Sequence, residues 1–317
     1  MKIGTAYCRE LSQEISIYQL RDQHFDENND TNADKLTFTC RSANCSAELA
    51  DINATNPRPK QTPHFRTFAN SSHQCELEST DTSLQNTDEG TRGAPKAYKE
   101  TNFPLEFIVE RPKKDEPQQT LATKEDQPKI SRTIPAIEES STKTNKPSKA
   151  HTRTSDLEHI AECFLSNQDD NELLKQQQLS IGDQQLSYRQ YFKPTKFFDG
   201  KDALRVYYGQ LKHIKPYGKD RHTSFGLEFV KWPEVDGKAY PLQIYLSNQL
   251  ISNYRKQKLF TNQMQYFLEN TEQKVLCFFY GCPEIVERKY RDKDKEGSYQ
   301  RLEANITNLD HLFLCFV

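Results

Sequence analysis

The residues best suited to chemistry lie in one stretch, FTCRSANCSAELADINATNPRPKQTPHFRTFANSSHQCE. Four residues separate Cys40 from Cys45, one separates His73 from Cys75, and 27 lie between the two pairs. Zinc takes four tetrahedral nitrogen or sulfur ligands, and two local pairs on separate turns are a usual way to supply them. An extended backbone through His73-x-Cys75 puts both side chains on one face. The expected ligands of one Zn2+ are therefore Cys40, Cys45, His73 and Cys75, with His64 of PHFR as a substitute for His73. Three of the eight cysteines fall within these 36 residues, beside two histidines, which favours a site over chance spacing.

The metal would serve shape rather than reaction. A hydrolytic zinc keeps one open position and a nearby Glu or His as base. The chain has no H-E-x-x-H and no H-x-E with P-C-x-x-C. Walker A, G-x-S-x-G and G-x-G-x-x-G patterns are also absent. A Mg2+-dependent nuclease needs an acid and then an acid-x-Lys on the next strand. Glu228 and Lys231 have one residue too many between them, and Glu287-x-Lys289 has Glu284 too close upstream for a separate strand. Cys277 and Cys282 sit in VLCFFYGC, an apolar run in which cysteine is a small hydrophobe.

A short hairpin followed by FTCRSANC, PHFR and HQC resembles the start of CoiA-type competence proteins of bacteria, over residues 1–76. Here the cysteine pair is spaced by four residues where that family has two, and Thr67 stands where a second histidine is usual. The resemblance implies a structural zinc module and a bacterial protein. It also implies a nuclease-like domain, which keeps a metal-dependent nuclease as one alternative.

The elements that must position these residues fall into several regions. Residues 1–76 read as a small zinc-binding β module: KIGTAYCR and EISIYQLRD as a hairpin, then strands at KLTFTC and TPHFRTF. A unit of this size buries too little apolar surface to be comfortably stable without a staple. Residues 77–152 are rich in Ser, Thr, Lys, Glu and Pro, with seven of the fifteen prolines, and read as a disordered linker. Its one island, FPLEFIVERP at 103–112, alternates Leu105, Phe107 and Val109. It is expected either to dock as a strand on a sheet edge, in this chain or in a protein partner, or to be a passive part of the linker.

Residues 153–200 form a helix and hairpin extension. Ser155 and Glu158 have capping-box spacing ahead of Leu157, Ile160, Ala161 and Phe164, and LSIGDQQLSYRQYF reads as a hairpin. Residues 201–317 are strand-rich. Three strands, a helix broken near Phe260 and two final strands resemble an OB-fold, a five-stranded Greek-key barrel, in element order. The expected fold class is mainly β with some α.

The chain has 317 residues, 28% of them charged, with a net charge of −2 and a mean hydropathy of −0.90. No global field announces a partner. No apolar run is long enough for a signal peptide or a membrane span, so a cytoplasmic, membrane-free protein with reduced thiols is expected. The charge is uneven: residues 201–317 hold 18 Lys/Arg against 14 Asp/Glu, a net of +4, and the remainder holds −6. Basic and aromatic residues mix on the expected strands, and single-stranded DNA or RNA is bound by such mixtures through base stacking and phosphate contacts. Tyr207, Lys212, Lys231 and Trp232 are the candidate nucleic-acid-binding residues, with ERKYRDKDKEGSYQR as a clamping loop. The reading is a non-enzymatic zinc-containing nucleic-acid-binding protein. A protein–protein adapter in a bacterial complex, in antiviral defence or a mobile element, is the other alternative.

Overall fold

The computed structural model describes residues 3–29, 35–42, 44–57, 63–68, 71, 73, 75, 103–110, 153–200, 204–218, 223–289 and 297–317. It is mainly β with some α. Apart from 103–110, the linker expected at 77–152 lies outside the described residues.

The first sheet is antiparallel throughout. It comprises β1 (Thr5–Cys8), β2 (Gln13–Ser16), β3 (Phe38–Thr39), β4 (Glu48–Ile52) and β5 (His64–Thr67), in the order β2-β1-β3-β4-β5. The run EISIYQLRD is a strand only as far as Ser16. There the Ser16 hydroxyl accepts from the Gln19 amide, and Gln19 Oε1 accepts from the Ser16 amide at 2.9 Å. This reciprocal capping box starts α1 (Ile17–Phe25), against the strand preference of Ile17 and Tyr18. Ile15, Ile17, Leu20, Phe38 and Phe65 are buried as one cluster.

A second sheet has the order β7-β6-β8-β9, from β6 (Glu106–Phe107), β7 (Arg153–Thr154), β8 (Gln178–Ile181) and β9 (Gln184–Ser187). The 103–112 segment thus supplies an interior strand of this chain's own sheet. Ser180 donates to the Leu105 carbonyl at 2.7 Å and Ile108 to the Thr154 carbonyl at 2.8 Å. Phe107 is 1% exposed, and burying such a ring stabilises by about 1.5–3 kcal/mol. The helix α2 (Leu157–Ser166) is capped by Asp156, one residue later than the spacing suggests, and Leu157, Ile160, Ala161 and Phe164 face inward. After α3 (Asn171–Gln176) the β8–β9 hairpin turns at Gly182, whose φ of +57° suits glycine. A short α4 (Tyr188–Tyr191) leads into β10 (Phe192–Pro194). Phe164, Phe192, Tyr188 and Phe107 form one apolar cluster with Val206, Phe278 and Tyr280 of the last domain.

That domain is built on β11 (Arg205–Tyr217), β12 (Ser224–Phe229), the small hairpin β13 (Glu234–Val235) and β14 (Lys238–Ala239), and β15 (Leu242–Leu246). Two helices follow, α5 (Asn248–Ser252) and α6 (Gln257–Glu269), so the break falls at 253–256 rather than at Phe260. Then come β16 (Val275–Gly281), β17 (Glu284–Lys289), β18 (Ser298–Ala304) and β19 (Leu312–Phe316). The expected clamping loop ERKYRDKDKEGSYQR is therefore in part the β17–β18 hairpin, and this domain has more strands than five.

β11 pairs antiparallel with β12 and β16, β12 with β15, and β16 with β19, whereas β15 pairs parallel with β18. Residues 305–311 join β18 to β19, so one continuous segment links the two ends of the β18-β15-β12-β11-β16-β19 path. One core fills the interior, with Leu227, Phe229, Leu242, Ile244, Phe279 and Leu302 from the strands and Phe260 and Met264 from α6. β16 is buried on both faces, because Cys277 and Phe279 point into this core and Phe278 and Tyr280 into the neighbouring one. An unbroken apolar run is what such a strand needs.

Candidate functional site

β3 ends at Thr39, and the turn after it carries the first two ligand candidates. The Cys40 amide donates to the Ala47 carbonyl at 2.8 Å and the Cys45 amide to the Ser42 carbonyl at 3.0 Å. The Ser42 amide donates to Cys40 Sγ at 3.4 Å. These bonds hold Cys40 and Cys45 so that both sulfurs face one side. His73 and Cys75 arrive from beyond β5. Cys40 Sγ and Cys75 Sγ lie 3.6 Å apart, Cys45 Sγ and His73 Nδ1 3.5 Å, and Cys75 Sγ and His73 Nδ1 3.7 Å.

Those spacings can be compared with a tetrahedron. Zn–S bonds of about 2.3 Å and Zn–N bonds of about 2.0–2.1 Å give S···S near 3.8 Å and S···N near 3.6 Å. The four donor atoms all lie within 4.8 Å of one another, and a disulfide, at about 2.05 Å, is far shorter than the Cys40–Cys75 distance. The cluster could therefore hold a metal ion. Cys40, Cys45 and His73 are buried and Cys75 is half-buried. Burial pushes the Cys40 thiol up to about 12, with the Ser42 amide opposing and the Cys75 and Cys45 thiols adding to the rise. A bound cation would invert that preference by stabilising thiolate. His64 is buried on β5 opposite Ile52 and is not part of the cluster.

A second group, Asp22, Asp156 and Asp310, also converges, but on cations of the chain itself. Lys256 Nζ lies 3.1 Å from Asp22 Oδ1 and 3.3 Å from Asp310 Oδ1, and also contacts Asp156. Arg255 pairs with Asp22, with Asp26 at 3.4 Å and with Asp310 at 3.1 Å, and Tyr254 donates to Asp310 at 2.8 Å. Burial disfavours the Lys256 ammonium, yet the surrounding carboxylates raise its pKa well above the usual value. Alongside it, Tyr18 stacks on His159 at 4.1 Å and hydrogen-bonds Glu162. α1 is thus packed against α2 and the α5–α6 turn.

The four residues expected to bind nucleic acid are not brought together as one face. Tyr207 is fully buried between Phe198 and Phe279 in the interior core, so it cannot stack on a base; alternation alone does not reveal which side of β11 faces inward. Lys212 sits at a bulge in β11 and pairs with Glu228 at 3.3 Å. Glu228 also faces His213 at 3.1 Å, so this carboxylate is already engaged. Glu287 accepts from Ser298 Oγ within the β17–β18 hairpin. Lys231 and Trp232 follow β12, and Trp232 is 48% exposed.

A different aromatic pair occupies the outward side of the sheet. Tyr217 of β11 and Tyr245 of β15 meet edge to face, 6.0 Å between ring centres, across Gly226 of β12. A Cβ on Gly226 would lie 2.8 Å from the Tyr217 ring, so the close approach depends on glycine. Lys215 Nζ is 5.6 Å from the Tyr217 ring centre, and Tyr245 is 55% exposed. The period-2 pattern in PLQIYL, with Tyr245 the one large residue out of phase with Leu242, Ile244 and Leu246, was the available signal.

Comparison of the chain with protein-family models, with curated proteins and with solved structures finds no match. Among the described residues no helix is long and apolar enough to cross a membrane.

Proposed function

We propose that this chain is a non-enzymatic zinc protein that binds single-stranded nucleic acid. Cys40, Cys45, His73 and Cys75 hold one Zn2+ in a closed, structural site, because four N/S donors at tetrahedral spacing leave no position for substrate water. The last domain acts as an OB-like barrel. The parallel β15–β18 pairing and the helices between β15 and β16 support that reading.

The observation that carries the nucleic-acid part is the Tyr217–Tyr245 pair on the outward side of the barrel, with Lys215 beside it. Two rings flanked by a cation offer base stacking and phosphate attraction together, which is how strands are held without sequence readout. Fluorescence anisotropy with single-stranded and duplex oligonucleotides across a salt series tests it. The expected result is tighter binding of single strands, weakening with salt, and an affinity loss of about 1–3 kcal/mol in Tyr245→Ala. Absence of binding at low salt would refute the reading and leave the adapter alternative. Mg2+-dependent cleavage lost in Glu228→Ala or Glu287→Ala would establish a nuclease instead.

A further inference from the structure

Between the extension and the barrel runs an open groove of about 570 Å3, floored by Phe192 and Tyr208. Arg189 enters it from α4, Lys193 from β10 and Arg205 from β11. No carboxylate lines it among the described residues. Neither Arg189 nor Arg205 has one within 4.0 Å among the described residues. Arg205 is instead steadied by the Leu204 carbonyl at 2.9 Å and by Gln184 Oε1 at 3.4 Å. The like charges of Arg189 and Arg205, from two elements, repel each other at a cost that an anionic ligand would remove.

Aromatic surface accompanies the charge. Phe197 lines the groove at 58% exposure, with the Lys196 ammonium 4.6 Å from its ring centre. A large apolar ring held in water beside cations is suited to a base attached to a phosphate. The groove and the tyrosine pair lie on the same side of β11. Before the bulge between Leu211 and His213, β11 turns Tyr208 away from the barrel core; after it, His213, Lys215 and Tyr217 face the same way. The extra residue reverses the alternation, so one side of a single 13-residue strand leads from the groove to Tyr217.

We infer that this groove holds the phosphodiester backbone of the bound strand, with Arg189, Lys193 and Arg205 as its phosphate contacts and Phe197 as a stacking platform. The inference rests on the nucleic-acid reading above and adds a second contact region to it. The test is anisotropy titration of the full chain with a fluorescein-labelled single strand of about 15 nucleotides, near the upper end of the site size of one OB-type domain. Wild type, Arg189→Ala/Lys193→Ala and Tyr245→Ala are compared over a salt series. Losing two phosphate contacts lowers the slope of log K against log salt by about 1.4 for a single strand. The double variant is therefore expected to bind at least about tenfold more weakly at low salt, with that shallower slope. Tyr245→Ala is expected to weaken binding with the slope unchanged. Because Lys193 is half-buried, Arg189→Gln, at an exposed position, is the second variant and should lose about 0.7 of slope. Wild-type binding with unaltered affinity and slope in both groove variants would overturn the groove and leave the nucleic-acid reading standing. No salt-dependent binding by wild type would overturn both.

Discussion

The ammonium of Lys256 lies 3.3 Å from the Asp310 carboxylate, and both residues are almost fully buried. Lys256 comes from the turn before α6, Asp310 from the segment joining β18 to β19. The same ammonium reaches Asp22 of α1 and the Asp156 cap of α2. One cation thus pairs with carboxylates from α1, the extension and the last domain.

Replacing Lys256 by Met should destabilise the whole chain, not only the turn that carries it. Removing one partner of a buried ionic cluster costs about 3–5 kcal/mol, since the remaining carboxylates stay desolvated and unpaired. Urea denaturation should show that loss, and limited proteolysis should show earlier cleavage within α1. Lys258→Met, at an 85% exposed side chain paired with Glu27, should change stability by no more than about 1 kcal/mol.

Metal removal should act first on the small sheet. Structural zinc contributes about 10–16 kcal/mol of apparent folding free energy in zinc-finger peptides, more than a five-stranded sheet of this size can replace from its own core. Purified protein is expected to hold one zinc per chain by elemental analysis. A chelator or Cys40→Ser should abolish that content and bring loss of structure in residues 3–75. His64→Asn should keep full zinc content, because His64 lies outside the cluster.

The cluster that could hold a metal ion was legible because ligand chemistry is local: a metal selects residue types, and Cys40, Cys45, His73 and Cys75 announce themselves by type and spacing. The fold class was legible for a similar reason, since β-branched and aromatic runs bounded by turn residues mark strands wherever they pack. Three things were not legible. Ile17 and Tyr18 favour a strand, and only the Ser16–Gln19 capping box reverses them. Tyr207 and Tyr208 are adjacent on a stretch of β11 with apolar clusters on both sides, so alternation could not say which faces inward. The charged junction draws on Asp22, Asp156, Arg255, Lys256 and Asp310, which are spread over nearly 300 positions, and no local pattern links them.

Acid should weaken the junction through His311. Burial holds its pKa below the ordinary 6.5, while the Val109 carbonyl, 3.1 Å from Nε2, and the Asp310 and Asp156 carboxylates oppose the fall. The unfolded chain therefore takes up this proton first as pH drops. The contribution of His311 is present above about pH 6.5 and is lost as pH falls through its lowered folded value. Urea midpoints measured from about pH 7.5 down to about pH 5.5 should decline more steeply in wild type than in His311→Gln, which does not titrate there.

The strand at 103–110 offers the sharpest distinction between a docked element and a partner-binding one. Phe107 is buried in a cluster with α2 and the outer faces of β11 and β16, with its ring 5.7 Å from Tyr280 and 5.5 Å from His311. The Pro104 carbonyl accepts from Tyr188 at 2.9 Å. Truncating a buried phenylalanine costs about 3–5 kcal/mol, so Phe107→Ala should lower the stability of the isolated full chain by about that amount. Leu105→Ala, at a side chain 47% exposed, should cost less than about 1 kcal/mol. If Phe107→Ala left the urea midpoint unchanged, the segment would be free to pair with another protein, and the adapter reading would gain the surface it needs. A full loss in the isolated chain means the strand is already engaged in cis, and any protein partner must bind elsewhere.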